Sequence, residues 1–298
     1  MPKPPPPATP VLPDEPALGT HLDLVCLQYA RKNIRGRIPP DGPTVVVRTG
    51  DRRVRPVPAE IFTVEVERSW VFGHTRYVKG SVTESRLEVP RLALRPLGLR
   101  DDGPWDPEED AWLFELEPTP LSDEIRAAGP RTRYEMEQVV PEDAVRLEWE
   151  DDPILEAVAL AEAGAVGEAE AVLSGLLTAD LRCLDAHAHL GHLAFRSKRE
   201  PHARCARRHY QAGVAIGELS LPAPVLDFQG LLPRGLIDNR PFLRCLHGLG
   251  LTHWRDGDFQ TAEQIFRRLV WLDPHDGIGA RILVEQVRAG LAWEETYG

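Results

Sequence analysis

Asp185, His189 and His192 lie in CLDAHAHLGHLAF, residues 183–195, at separations of four and three. On a helix that pitch brings all three side chains to one face and leaves Cys183 and His187 on another. A carboxylate with two imidazoles so placed can hold zinc, which takes nitrogen and oxygen ligands in tetrahedral sites. The H-E-x-x-H arrangement that sets a general base beside two ligands is absent. No metal or other cofactor is therefore expected; a histidine pair facing a groove and plain helix packing are the competing readings. The sequence has no G-x-S-x-G elbow, P-loop or G-x-G-x-x-G turn. Nucleophilic sites whose members meet only in space leave no spacing to read, and the expectation is a protein that is not an enzyme. Asp106, Glu108, Glu109 and Asp110 could gather a cation, but without a second ligand set they read as the start of a helix at Pro107.

A second constellation joins Arg48, Arg52, Arg53, Arg55, Arg76, Lys79 and Arg86 to Trp70, Phe72 and Tyr77. Small barrels bind single-stranded nucleic acid by pairing a basic groove, which follows the phosphates, with aromatic rings on which bases stack. The competing reading has the aromatics filling the barrel and the arginines solvating it. A net charge of −11 also opposes a polyanion. Nucleic-acid association is thus the alternative function, and no binding of a single strand is expected.

The charge is unevenly spread. Residues 1–100 hold 16 Lys/Arg against 10 Asp/Glu, residues 101–160 hold 4 against 19, and residues 161–298 hold 15 against 17. Such a break marks a boundary and supplies a contrast that can drive docking within one chain or between two. A length of 298 residues with 42% hydrophobic content predicts two domains with real cores. No run approaches 18 uncharged apolar residues, and MPKPPPPATPVLPDEP lacks the apolar core and cleavage site of a secretory signal. A cytoplasmic protein without a membrane partner is expected. Cys26, Cys183, Cys205 and Cys245 are scattered without a C-x-x-C pair, so neither a disulfide framework nor a cysteine zinc site is indicated.

These groups need elements to position them. Residues 1–18 carry eight prolines and predict a disordered tail. Residues 19–100 alternate β-branched and polar residues between turn signals; Phe62, Val64 and Val66 should face a core opposite Thr63, Glu65 and Glu67. Residues 101–152 read as an acidic connector with a short helix. From Pro153 onward Ala, Leu and Glu recur at helical spacing, with a break at Gly164. The fold class is α+β in two parts: a small antiparallel β barrel or rolled sheet, then an all-α domain over 153–298.

LGLTHWRDGDFQTAEQIFRRLVWLDPHD, residues 249–276, gives that domain its character. Two helices pack closely only where small residues admit them, and Gly250 and Ala262 are so placed, with Leu249, Phe266 and Leu269 between. Asp256-Gly257-Asp258 makes the turn, and Pro274 stops the second helix. The segment 243–276 resembles a tetratricopeptide repeat over its 34 residues, with His253 where that family has an aromatic. Leu190-Gly191 stands 22 residues after Ala169, as that family's next Leu-Gly follows its preceding Ala, so 153–177 and 184–213 look like further units. An insertion at 217–242 and a capping helix in GIGARILVEQVRAG complete the pattern. No family is recognised in residues 1–150.

The resemblance implies a solenoid whose groove binds a protein or peptide. Carried over by position, the groove holds Asp185, His189 and His192 in the middle unit and Arg244, His247, Leu251, Trp254 and Arg255 in the last. Two guanidiniums, an imidazole and a large aromatic suit an acidic peptide with an apolar anchor. The nearest such peptide is the chain's own acidic connector. The expected function is a non-enzymatic cytoplasmic interaction adaptor.

Overall fold

The computed structural model describes residues 16, 18–30, 33–50, 53–116, 118–141, 152–197, 200–223 and 227–293. Residues 1–15 of the expected tail, Arg52, and residues 142–151 of the expected connector lie outside this set. The chain divides into two compact units between Leu94 and Arg95.

The first unit is a closed five-stranded barrel. Its strands are β1 (His21–Tyr29), β2 (Asn33–Arg37), β3 (Thr44–Arg48), β4 (Ile61–Phe72) and β5 (Thr75–Arg86), in the order β1-β2-β3-β5-β4, with β4 closing onto β1. Leu24, Ile34, Val45, Val47, Phe62, Val64, Val66 and Val78 fill the interior. They come from alternate positions because successive strand residues point to opposite faces. One pairing departs from the antiparallel expectation: β3 runs parallel to β5. The chain leaves β3, crosses to pair β4 with β1, and returns through the turn at Gly73 and His74, so β5 reaches β3 running in the same direction.

The alternation expected through Glu67 also breaks. Val66 pairs with Gly80 and Arg68 with Lys79, so Glu67 is an extra residue in β4. A β-bulge of this kind reverses the facing of everything beyond it. Val66 points inward, whereas Arg68, Trp70 and Phe72 share the outer face with Lys79, Tyr77 and Thr75. Gly80 opposite the bulge admits the close approach, since a Cβ there would lie 2.2 Å from the Glu65 carbonyl oxygen.

The second unit begins earlier than the expected boundary, which falls inside β6 (Leu99–Trp105). That strand pairs antiparallel with β7 (Arg131–Met136), and α1 (Ala111–Leu116) and α2 (Pro120–Ala127) lie between them in sequence. Strands and helices at 99–105, 111–116, 120–127 and 131–136 thus stand where a connector was expected. Asp106 caps a tight turn, its Oδ1 accepting from the Glu108 amide at 2.9 Å, and the helix starts at Ala111, later than expected. This hairpin is bound to the helices by backbone pairing: the Tyr134 amide donates to the Leu231 carbonyl, and the Leu231 amide donates to that of Thr132. Asn239 is fully buried; its Oδ1 accepts from the Met136 amide while its Nδ2 donates to the carbonyls of Tyr134 and Pro233.

Three helical hairpins follow: α3 (Pro153–Glu162) with α4 (Val166–Ala179), α5 (Leu184–Arg196) with α6 (Glu200–Glu218), and α7 (Arg240–Arg255) with α8 (Phe259–Leu272), then α9 (Ala280–Arg288). Glycines set the closest crossings. A Cβ on Gly250 would lie 2.5 Å from the Phe266 ring, and one on Gly191 would lie 2.6 Å from the Tyr210 ring. No helix among the described residues is long and apolar enough to cross a membrane.

Gly250→Ala is expected to destabilise the protein by about 1–3 kcal/mol, because Phe266 cannot yield without disturbing a filled core. Gly175→Ala, also in a helix but with nothing within 4 Å, should be neutral or stabilising by up to about 1 kcal/mol. Urea denaturation of the two variants checks the pair; equal midpoints would show that the α7–α8 crossing is not tight.

Candidate functional site

The structure scatters the expected groove. Trp254 is only 1% exposed, and its indole Nε1 donates to the Leu291 carbonyl at 2.8 Å, so it holds the chain after α9 and presents nothing to a partner. Arg255 is likewise committed: its guanidinium stands 4.0 Å over the Phe195 ring and donates to the Phe195 carbonyl. His247 is packed beside Phe266, and burial pushes its pKa down to about 4. It is therefore neutral at pH 7 and adds no charge to the expected groove. Leu251 is half-buried.

Asp185 and Arg244 meet each other. Asp185 is 5% exposed, its Oδ1 lies 2.6 Å from Arg244 Nη1, and its Oδ2 accepts from Gln138 Nε2 at 2.9 Å. The buried carboxylate ties α5 to α7 and to the chain leaving β7. Among the described residues of the acidic segment, Glu124 pairs with Arg267, and Asp110 lies 3.1 Å from His275.

His189 and His192 have a different setting. Both line a cleft of about 880 Å³ between α3, α4 and α5, floored by Ala157, Ala161, Leu173 and Leu193 and edged by Glu162, Glu170 and Arg196. Small residues keep it open; a Cβ on Gly167 would meet nothing within 4 Å. Burial lowers the pKa of both histidines, with Asp185 opposing this at His189 and Arg196 adding to it at His192. Two neutral imidazoles in an apolar cleft can donate and accept hydrogen bonds. Among the described residues no three His, Cys, Asp or Glu side chains come together as a metal would require.

The basic and aromatic set separates as well. Arg76 is on the inner side of its strand, buried, with Nη1 on Ser69 Oγ at 3.1 Å. Arg86 is held at the other end of the barrel by Asp23, Glu84 and Glu88, and Arg53 and Arg55 each make an interaction of their own. Trp70 and Tyr77 stack across β4 and β5 with centroids 5.5 Å apart and planes 10° from parallel. Arg48 stands over both rings, at 5.5 and 5.1 Å, and Arg68 over Trp70 at 5.7 Å. Phe72 is 76% exposed beside them, and Lys79 pairs with Glu67 at 3.0 Å. Arg68 escaped the sequence reading, although the adjacent charges Glu67-Arg68 interrupt the alternation and signal the bulge.

No family model, curated protein or solved structure matches this chain. Function therefore rests on the geometry of these two surfaces.

His187, His209 and His247 have pKa values pushed down by burial to about 4, about 3 and about 4, from 6.5. Between those values and 6.5 the unfolded chain binds more protons than the folded one. Stability is thus full above pH 6.5 and is lost as pH falls, by up to about 1.4 kcal/mol per pH unit for each histidine. Denaturation midpoints at pH 7.5 and 5.0 should differ accordingly, and His247→Leu should flatten the dependence by one histidine's share. An unchanged slope would place His247 in water.

Proposed function

We propose that this chain is a non-enzymatic protein-interaction adaptor whose helical hairpins receive a partner protein or peptide, in the cytoplasm. The observation that carries the reading is the open cleft between α3, α4 and α5. The crossings α5–α6 and α7–α8 each close a glycine onto an aromatic ring, whereas the first hairpin faces α5 with alanines and leaves about 880 Å³. The resemblance of residues 243–276 to a tetratricopeptide repeat supports the same reading, since stacked helical hairpins present such surfaces to peptides.

The cleft suits a segment that inserts an apolar side chain over Ala157, Ala161 and Leu193 and offers carbonyls or carboxylates to His189, His192 and Arg196. Buried apolar anchors supply most of the affinity at such surfaces, and the polar rim fixes orientation. Of the groove residues first expected from the repeat, His247, Trp254 and Arg255 are packed against the fold, and Arg244 is paired with Asp185.

Ala161→Trp fills the cleft without changing charge. Affinity capture with the full chain should lose the proteins retained by the parent, while the circular dichroism spectrum stays unchanged. Identical capture profiles would remove the cleft as the binding site.

A further inference from the structure

We propose that the outer face of the barrel formed by β3, β4 and β5 is a binding site for single-stranded nucleic acid, with bases stacking at Phe72 and the Trp70–Tyr77 pair and phosphates held by Arg48, Arg68 and Lys79. The sequence left two places for the aromatics, inside the barrel or on it. The interior is filled by aliphatic side chains, Cys26 and Phe62, with Tyr29 packed against them, and the bulge at Glu67 turns Trp70 and Phe72 outward.

Three properties of this face suit that ligand. The first is the exposed ring of Phe72 at the tip of β4 beside the half-buried Trp70 and Tyr77, giving flat apolar surface at successive positions. Every base has a π-face, so stacking on such rings is tolerant of sequence. The second is the placement of cations. Arg48 and Arg68 lie over these rings and form no ion pair among the described residues. Their guanidiniums can therefore swing from the rings into bidentate contact with phosphate, which uncovers ring faces for the bases. Among the described residues Lys79 pairs with the exposed Glu67 alone, an exchangeable surface pair. The third is access: β1 and the residues just before it pair with β4 from Ile61 to Val66, and among the described residues Arg68 to Phe72 pair with β5 alone. Charge agrees, because residues 1–94 carry 14 Lys/Arg against 10 Asp/Glu although the whole chain is acidic. Asp and Glu side chains would satisfy the arginines but bring no ring to set on Phe72, whereas every nucleotide carries a charge and a ring together, which favours nucleic acid.

The test uses the full chain and fluorescein-labelled 15-nucleotide oligo(dT) and oligo(U), followed by anisotropy from 25 to 200 mM salt. Binding is expected at low salt. The affinity should fall with log salt at a slope of about −2, as three phosphate contacts at about −0.7 each require. Phe72→Ala lies at an exposed tip and should weaken binding about tenfold without altering the melting temperature. Arg48→Ala with Arg68→Ala should reduce the slope by about 1.4. Absence of binding at 25 mM salt overturns the proposal. It is also overturned if Phe72→Ala binds as tightly as the parent, or if oligo-glutamate of the same charge competes as well as oligo(dT), since either would mark a general polyanion or acidic-peptide surface.

Discussion

A single phenol ring fixes the middle of the helical region. Tyr210 projects from α6 between two glycines, Gly191 of α5 and Gly248 of α7, and a Cβ on either would come within 2.6 Å of the ring. No residue other than glycine fits at either position without moving Tyr210, so three helices from two hairpins share one steric condition. Burial raises the pKa of the phenol, which stays protonated. Around the ring the same device is repeated: Gly217 accommodates Phe242, and Gly250 accommodates Phe266. Close approach at these points brings Asp185 within reach of Arg244 and buries His187, His209 and His247. The three depressed histidines are a consequence of packing the backbones this tightly.

The β hairpin of the second unit depends on that helical frame. Asn239 satisfies both its amide groups on β7 and the turn before α7. Arg131 is inserted between Trp105 and Trp271, at 5.1 and 4.3 Å from their rings, and donates to the Trp271 carbonyl. Desolvation lowers its pKa to about 10, still far above neutrality, so the ring faces stabilise a buried cation. Backbone pairing through Leu231 gives the expected insertion at 217–242 a structural role, because it carries the strand bridge on which β7 rests.

The parts of this architecture that were legible are those set by local rules. Helical period and the glycine-to-aromatic intervals located the α7–α8 hairpin within a few residues, and the alternation of Phe62, Val64 and Val66 located the barrel core. What escaped depends on partners distant in sequence. The pairing of β6 with β7 joins residues more than 25 apart across two short helices, and their many carboxylates masked its strand pattern. Trp254 had the spacing of a groove residue, but α9 and the chain after it cover that face. In the candidate cleft His189 and His192 were found by pitch; its openness comes from Ala157, Ala161 and Gly167, small residues that read equally well as close packing. The outward ring stack required knowledge of a bulge.

That bulge has a further consequence. Inward positions along β4 are constrained by barrel volume, so each substitution there must keep its neighbours in contact. By shifting the count by one residue, Glu67 frees the outer half of the hairpin from this constraint and lets Arg68, Trp70 and Phe72 vary as a group. The barrel thus carries a sheltered lattice and a writable surface on the same pair of strands, separated by a single residue, and surface chemistry can diverge while the interior stays fixed.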